Sequence, residues 1–329
     1  MHVLLLHNAV SASAPPDAQD TLVQAEAVRE ALIELGHTAD VHAVDDDLGT
    51  VASVWRESRA DLVFNLVESL AGSDAAAVAL PALLDGLGVR YTGSRAAAIA
   101  LSNDKCAAKE LLVRLALPTP EWASAESASR TFRADHYIVK ARFEHASLGL
   151  EDDAIVHCDS LAAARRAVEA RTRAIGRPCF AERFIRGREF NLSLLVGPAG
   201  SAEPEVLAPA EIDFSAFPPG AARMVGYRAK WDETSFEYAN TPRRFEFPPN
   251  DARLLAQLEG LARTTFSSLG LSGYARVDFR VDADGPWILE VNANPCIAPD
   301  AGFAAALAQS GIRYKDAIAR IIRAALGDG

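Results

Sequence analysis

The rhythm of the first hundred residues restricts the fold more than any other feature. A short apolar run, Val3-Leu4-Leu5-Leu6, precedes a helical repeat of apolar residues over 22–35 that stops at Gly36. Strand-like runs follow at 39–43 and 62–67. Strands that alternate with helices are joined by crossovers, and crossovers produce a parallel sheet. The unit closes near Val89-Arg90-Tyr91-Thr92-Gly93-Ser94. A chain of 329 residues is too long for that unit alone, so an α/β fold of two or three lobes is expected.

Charge and cysteine usage remove several function classes. Lys plus Arg number 33 against 44 Asp plus Glu, a net charge of −11 that disfavours nucleic acid or an anionic membrane as partner. No apolar run approaches the roughly 18 residues of a membrane helix. The first apolar run has no basic segment before it and reads as a strand, not a signal peptide. Cys106, Cys158, Cys179 and Cys296 are too scattered for a metal knot or a disulfide framework, which fits reduced thiols in a cytoplasmic protein.

Further along, a continuous helix is expected over 96–115, ended by Pro118-Thr119-Pro120. A strand over 137–140 ends in Lys140, and a helix spans 161–174. Strands at 180–184 and 189–196 flank Arg186-Gly187-Arg188. Residues 217–250 lack periodicity and read as a long functional loop. A helix over 254–269 leads to a hairpin, 274–281 with 287–291, across the Asp282-Ala283-Asp284-Gly285 turn. Asp300 is expected to cap the last helical region.

Three strings carry chemistry. On the hairpin, residues two apart share a face, which groups Arg276 with Asp278 and Glu290 with Asn292. Two carboxylates and an amide oxygen suit magnesium bridged to phosphate, although a solvated sheet face also carries such residues. Lys105, on a helix, and Lys140, before a loop of small residues, suit phosphate neutralisation, although either also suits a surface. Glu182-Arg183-Phe184-Ile185 offers backbone to an adenine edge and Glu189 an acceptor to ribose hydroxyls, or the segment is an edge hairpin.

Taken together, these strings resemble the ATP-grasp superfamily, specifically its D-alanine–D-alanine ligase-like branch. Phe64-Asn65-Leu66, Tyr91-Thr92-Gly93-Ser94, Asp104-Lys105, Leu117-Pro118-Thr119-Pro120, Val139-Lys140, Glu182 to Glu189, the Lys230 loop and Arg276 to Asn292 occur in the family's order. The resemblance implies an N-terminal preATP-grasp α/β lobe (1–95), a central lobe (96–180) and a C-terminal lobe (181–329), the last two clamping ATP. It implies an ADP-producing carboxylate–amine ligase acting through an acyl phosphate. Lys105, Lys140, Glu182, Arg183, Phe184, Ile185 and Glu189 would hold ATP. Asp278, Glu290 and Asn292 would hold one or two magnesium ions, with manganese as substitute. Arg276 and Lys230 would act on the transferring phosphoryl group. The family's habit implies a homodimer.

The substrate side departs from the family. Its N-terminal glutamate falls at Gln19, or at Asp20 if the register slips by one. Ala146 and Trp231 stand in place of its serine and tyrosine, Glu68 lies near its histidine, Cys296 replaces a glycine, and Ala301 replaces the serine for the second substrate's carboxylate. Gln19, Glu68, Arg142, His145, Ser147 and Asp300 are the candidate substrate contacts. Cys296 has no acid–base partner that would make it a nucleophile. The expectation is therefore a ligase of small carboxylates and amines, amino-acid-like but not D-alanine. A true D-alanine–D-alanine ligase with a rebuilt pocket and a non-catalytic ATP-binding regulatory or scaffold protein are the alternatives.

Overall fold

The structure is a computed structural model and describes residues 1–11, 14, 16–144, 150–198, 201 and 203–327. The first strand, β1 (His2–Asn8), is followed by helix α1 (Pro16–Glu34), β2 (Thr38–Val44), α2 (Leu48–Ser58), β3 (Leu62–Leu66) and α3 (Ala79–Gly86). The three strands form the expected parallel sheet in the order β2-β1-β3. Helix α1 begins a turn and a half before the apolar repeat at 22–35, with Pro16 in its first turn, where a missing N–H costs nothing. That extension places Gln19 and Asp20 on the helix.

The helix expected over 96–115 is two helices, α4 (Ala96–Asn103) and α5 (Lys105–Arg114). Asp104 breaks it. Its backbone is extended, and its carboxylate accepts from the N–H groups of Cys106 and Ala107, at 3.1 and 3.2 Å, as the cap of α5. Lys105 thereby occupies the first turn of a new helix at a lobe junction.

The central sheet contains β4 (Trp122–Ala123), β5 (Asp135–Ala141), β6 (Ile155–Cys158) and β7 (Cys179–Arg183) in the antiparallel order β4-β7-β5-β6, with α6 (Leu161–Ile175) against it. The third sheet contains β8 (Arg188–Leu195), β9 (Glu205–Val206), β10 (Ala210–Ile212), β11 (Arg243–Arg244), β12 (Tyr274–Asp282) and β13 (Gly285–Asn292). Its order is β11-β10-β8-β12-β13, with β9 on β8. Between β10 and β11 the long loop holds two short helices, α7 (Tyr227–Trp231) and α8 (Phe236–Ala239). Helix α9 (Ala252–Ser268) backs the third sheet.

The last helices, α10 (Gly302–Gln309) and α11 (Tyr314–Leu326), return to the N-terminal sheet. Ile318, Ile321 and Ile322 of α11 and Phe303 of α10 share one core with Val3, Leu5, Val28, Leu32 and Phe64. Ala301, not Asp300, sits at the cap of α10, and no side chain bonds there. Asp300 is left to the cleft. The first and third sheets are also joined at Gly93, whose φ is +86°. A Cβ there would lie 2.5 Å from Asn294 Oδ1, the atom that accepts from the Ser94 N–H at 3.2 Å. Only glycine lets the Thr-Gly-Ser segment lie against the end of the β12–β13 hairpin.

Candidate active site

The three sheets enclose one cleft of about 1050 Å³. Of the residues singled out in the sequence, Lys105, Lys140, Glu182, Arg183, Phe184, Ile185 and Glu189 line it, as do Lys230, Arg276, Asp278, Glu290 and Asn292. Glu68 and Asp300 line it as well; Gln19 and Arg142 do not. His145 and Ser147, with Ala146, lie outside the described residues.

The β12–β13 hairpin pairs Asp278 with Glu290 and Arg276 with Asn292, and a bulge follows Asp278. Arg276 forks onto Asp278, Nε to Oδ1 at 2.7 Å and Nη2 to Oδ2 at 2.8 Å. Asn292 Nδ2 donates to Oδ2 at 3.2 Å, and Asn191 Nδ2 to Oδ1 at 2.8 Å. Asn191 was missed in the sequence, yet it follows Glu189 by two on β8 and so shares its face. Burial opposes the charge of Arg276, but Asp278 outweighs it and raises the guanidinium above its ordinary range.

The lysines stand around this face. Lys140 Nζ donates to Glu182 Oε2 at 2.9 Å. The other Glu182 oxygen is ion-paired with Lys109, which also donates to Thr119 Oγ1 at 2.8 Å. Lys109 and Glu182 are each 1% exposed. Burial would raise the Glu182 carboxyl, but the two ammonium groups hold it below its ordinary range. The Glu182 carboxylate is thus spent under the floor, leaving only its strand backbone to the cleft. Lys109 carried no signal in the sequence beyond a charge on an apolar helix. Lys105 Nζ lies 3.2 Å from Glu290 Oε1 and donates to the Glu144 carbonyl at 2.7 Å. Lys230 makes no ion pair among the described residues. Enclosure, with Arg276 beside it, pushes its ammonium below the ordinary lysine range.

Arg183 packs over Trp287 at 4.9 Å and pairs with Glu121. Glu189 accepts from Arg280 at 2.7 Å. Gly187 makes this turn possible: a Cβ there would stand 1.9 Å from the Val281 carbonyl oxygen. Arg142 forks onto Asp104, both bonds 2.7 Å, and donates to Glu126.

At the other end of the cleft, helix α1 presents Asp20, while Gln19 turns to the Ser11 and Ala14 carbonyls. Asp20 Oδ2 accepts from Cys296 Sγ at 3.0 Å. One turn on, Gln24 accepts from the Ile297 N–H at 2.6 Å and donates to Glu68 at 3.4 Å. Burial raises the Asp20 carboxyl, and the nearby Asp300 charge adds to this. Burial, Glu68 and Asp20 raise the Cys296 thiol, which keeps it protonated and unreactive.

Magnesium takes hard oxygen donors, with one or two carboxylates and the rest from phosphate and water. Asp278 and Glu290, with the Asn292 amide, fit that set. Among the described residues no group of three or more His, Cys, Asp or Glu forms a self-sufficient metal site.

Residues 126–323 match the family described as "D-ala D-ala ligase C-terminus". A D-alanine–D-alanine ligase of Synechococcus sp. (strain JA-3-3Ab) is 31% identical over 340 residues, covering 99% of this chain and 94% of the relative. An uncharacterised protein, y4sG, of Sinorhizobium fredii is 28% identical over 308 residues, covering 91% and 86%. The crystal structure of the Bacillus anthracis D-alanine–D-alanine ligase complexed with ATP superposes with a TM-score of 0.70 at 18% identity, covering 99% of this chain and 97% of that one. The lobes, the cleft and these matches agree: the chain belongs to the D-alanine–D-alanine ligase family of ATP-grasp ligases.

Proposed function

We propose that the protein joins a carboxylate to an amine at the expense of ATP, through an acyl phosphate, releasing ADP and phosphate. The observation that carries this reading is one cleft in which Lys105, Lys140, Lys230 and Arg276 face the oxygen donors Asp278, Glu290 and Asn292. Two anions, a carboxylate and a triphosphate, must approach each other, and only concentrated positive charge allows that. Lys140 and Lys105 neutralise phosphate oxygens. Asp278, Glu290 and Asn292 would hold magnesium, which when bound would supply further neutralisation. Arg276, fixed by its fork onto Asp278, faces the transferring group and then the oxyanion formed when the amine attacks. Lys230 sits on a short helix of the long loop, which already encloses it beside Arg276, where it would meet the γ-phosphate while the loop excludes water.

The substrates on this reading are amino-acid-like, and the protein works in the cytoplasm. Asp20, Glu68 and Asp300 form an acidic end suited to an ammonium group. Asp20 also supports a second reading, a true D-alanine–D-alanine ligase, because a carboxylate does face the cleft from α1. The test is magnesium-dependent ADP release with D- and L-amino acids, singly and in pairs, with product masses. A product equal to two amino acids less water, from a pair other than D-alanine, supports the first reading. D-Alanyl-D-alanine alone supports the second. Bound ATP with no release across the panel contradicts both.

A further inference from the structure

Arg243 was not singled out in the sequence, and none of the roles above uses it. It lines the cleft from β11, where Arg243 pairs with Ile212 and Arg244 with Glu211. Alternation along the strand sends the two arginines to opposite faces. Arg244 is satisfied by Glu211 at 2.7 Å. Arg243 is open to the cleft, and among the described residues its guanidinium makes a single long hydrogen bond, Nη1 to the Asp300 carbonyl at 3.5 Å. Among the described residues no carboxylate lies within ion-pair reach of it.

Its setting selects the kind of group it awaits. The guanidinium lies over the start of α10, where a Cβ on Gly302 would stand 3.1 Å from its Nε. Crowding by the cleft wall and by Arg276 presses against its charge, and Asp300 only partly relieves it. An unneutralised guanidinium beside a second one calls for an anion. The phosphates have Lys105, Lys140 and Lys230. The carboxylate being activated must lie against Arg276. An ammonium on that acid has the Asp20, Glu68 and Asp300 end. The anion left over is one on the attacking amine. We infer that Arg243 is the receptor for the carboxylate of the acceptor amino acid, next to Ala301, which stands where the family has a serine. This rests on the ligase reading above and adds to it the residue that selects the acceptor.

The test compares wild type, Arg243→Ala and Arg243→Lys, with amino acids as acceptors beside their carboxamides and simple alkyl amines, at saturating donor and ATP. Loss of a charge-assisted bond predicts that Arg243→Ala raises the acceptor KM about 10- to 100-fold, with the ATP KM unchanged. Wild type should prefer acid over amide by a similar factor, Arg243→Ala should lose that preference, and Arg243→Lys should restore part of it. A preference that survives in Arg243→Ala overturns the inference, as does a raised ATP KM or a fall in kcat alone. Wild type that uses simple amines as well as amino acids also overturns it and leaves the ligase reading standing. No ADP release with any acceptor, ATP still bound, removes the ligase reading and this inference with it.

Discussion

The two ends of the cleft solve the problem of buried charge in opposite ways. At the nucleotide end the protein's own groups are paired. Glu182 lies between Lys109 and Lys140, and Asp278 accepts from Arg276, Asn191 and Asn292. At the substrate end Asp20, Glu68 and Asp300 gather, and Arg243 stands beside the Asp300 backbone with no ion pair among the described residues. A paired set is preorganised before ligand arrives, so little reorganisation is needed at phosphoryl transfer. A set of repelling carboxylates is held in place by the fold and is relieved by a cationic ligand. On the proposed reading, the paired end does the fixed chemistry and the unpaired end sets specificity.

The comparison can be broken most forcefully at Glu182. Replacing it with leucine strands Lys109 in the core, and leaving a buried charge unpaired costs about 3–5 kcal/mol. Urea denaturation should show that loss, and a loss below about 1 kcal/mol, the range of exposed pairs, would mean that the nucleotide end is not held together by this triad. Next, Glu290→Ala should abolish turnover even at saturating magnesium, a fall of at least about 10²–10³ in kcat. Unchanged kcat would remove Glu290 from the metal set. Lys230→Ala should lower kcat about 100-fold while the ATP dissociation constant, measured by calorimetry, barely moves. Equal losses in both would place Lys230 in ground-state binding.

The smallest effect sharpens the contrast through pH. Glu182 is held below its ordinary range, so the stability it contributes is present above its unfolded pKa and lost as pH falls through the folded value. Asp20 is raised, so its sign is reversed. The folded state binds the proton more tightly, and stability falls as pH rises from about 4, the unfolded value, through the raised folded one. Asp20→Asn should flatten that part of the stability profile, with a change at neutral pH within about 1 kcal/mol. A profile identical to wild type between pH 4 and 7 would mean that Asp20 is not under strain.

Legibility in the sequence follows the same division. The parallel sheet, the β12–β13 hairpin and the shared faces of Arg276 with Asp278 were readable because strand alternation is a local rule. The break at Asp104 was not, since a residue inside an alanine- and leucine-rich run gives no periodic sign that it caps a second helix. At the substrate end a one-residue ambiguity decided between Gln19 and Asp20, and only the start of α1 at Pro16 settles which of them faces the cleft. Asp300 looked like a cap, but the helix starts one residue later than its sequence suggests, with Ala301 at the cap. Arg243 falls in a stretch whose sequence is aperiodic, where nothing local says that it lies on a strand or which of two adjacent arginines is already paired.

The central claim is that this cleft couples phosphoryl transfer at one end to amide formation at the other. The direct measurement is the fate of ¹⁸O from a labelled substrate carboxylate, using whichever amino acid supports ADP release. Attack on the γ-phosphate followed by amide formation predicts one ¹⁸O in inorganic phosphate for each ADP formed. Phosphate free of the label would mean that water, not the carboxylate, takes the phosphoryl group, and the account would fail.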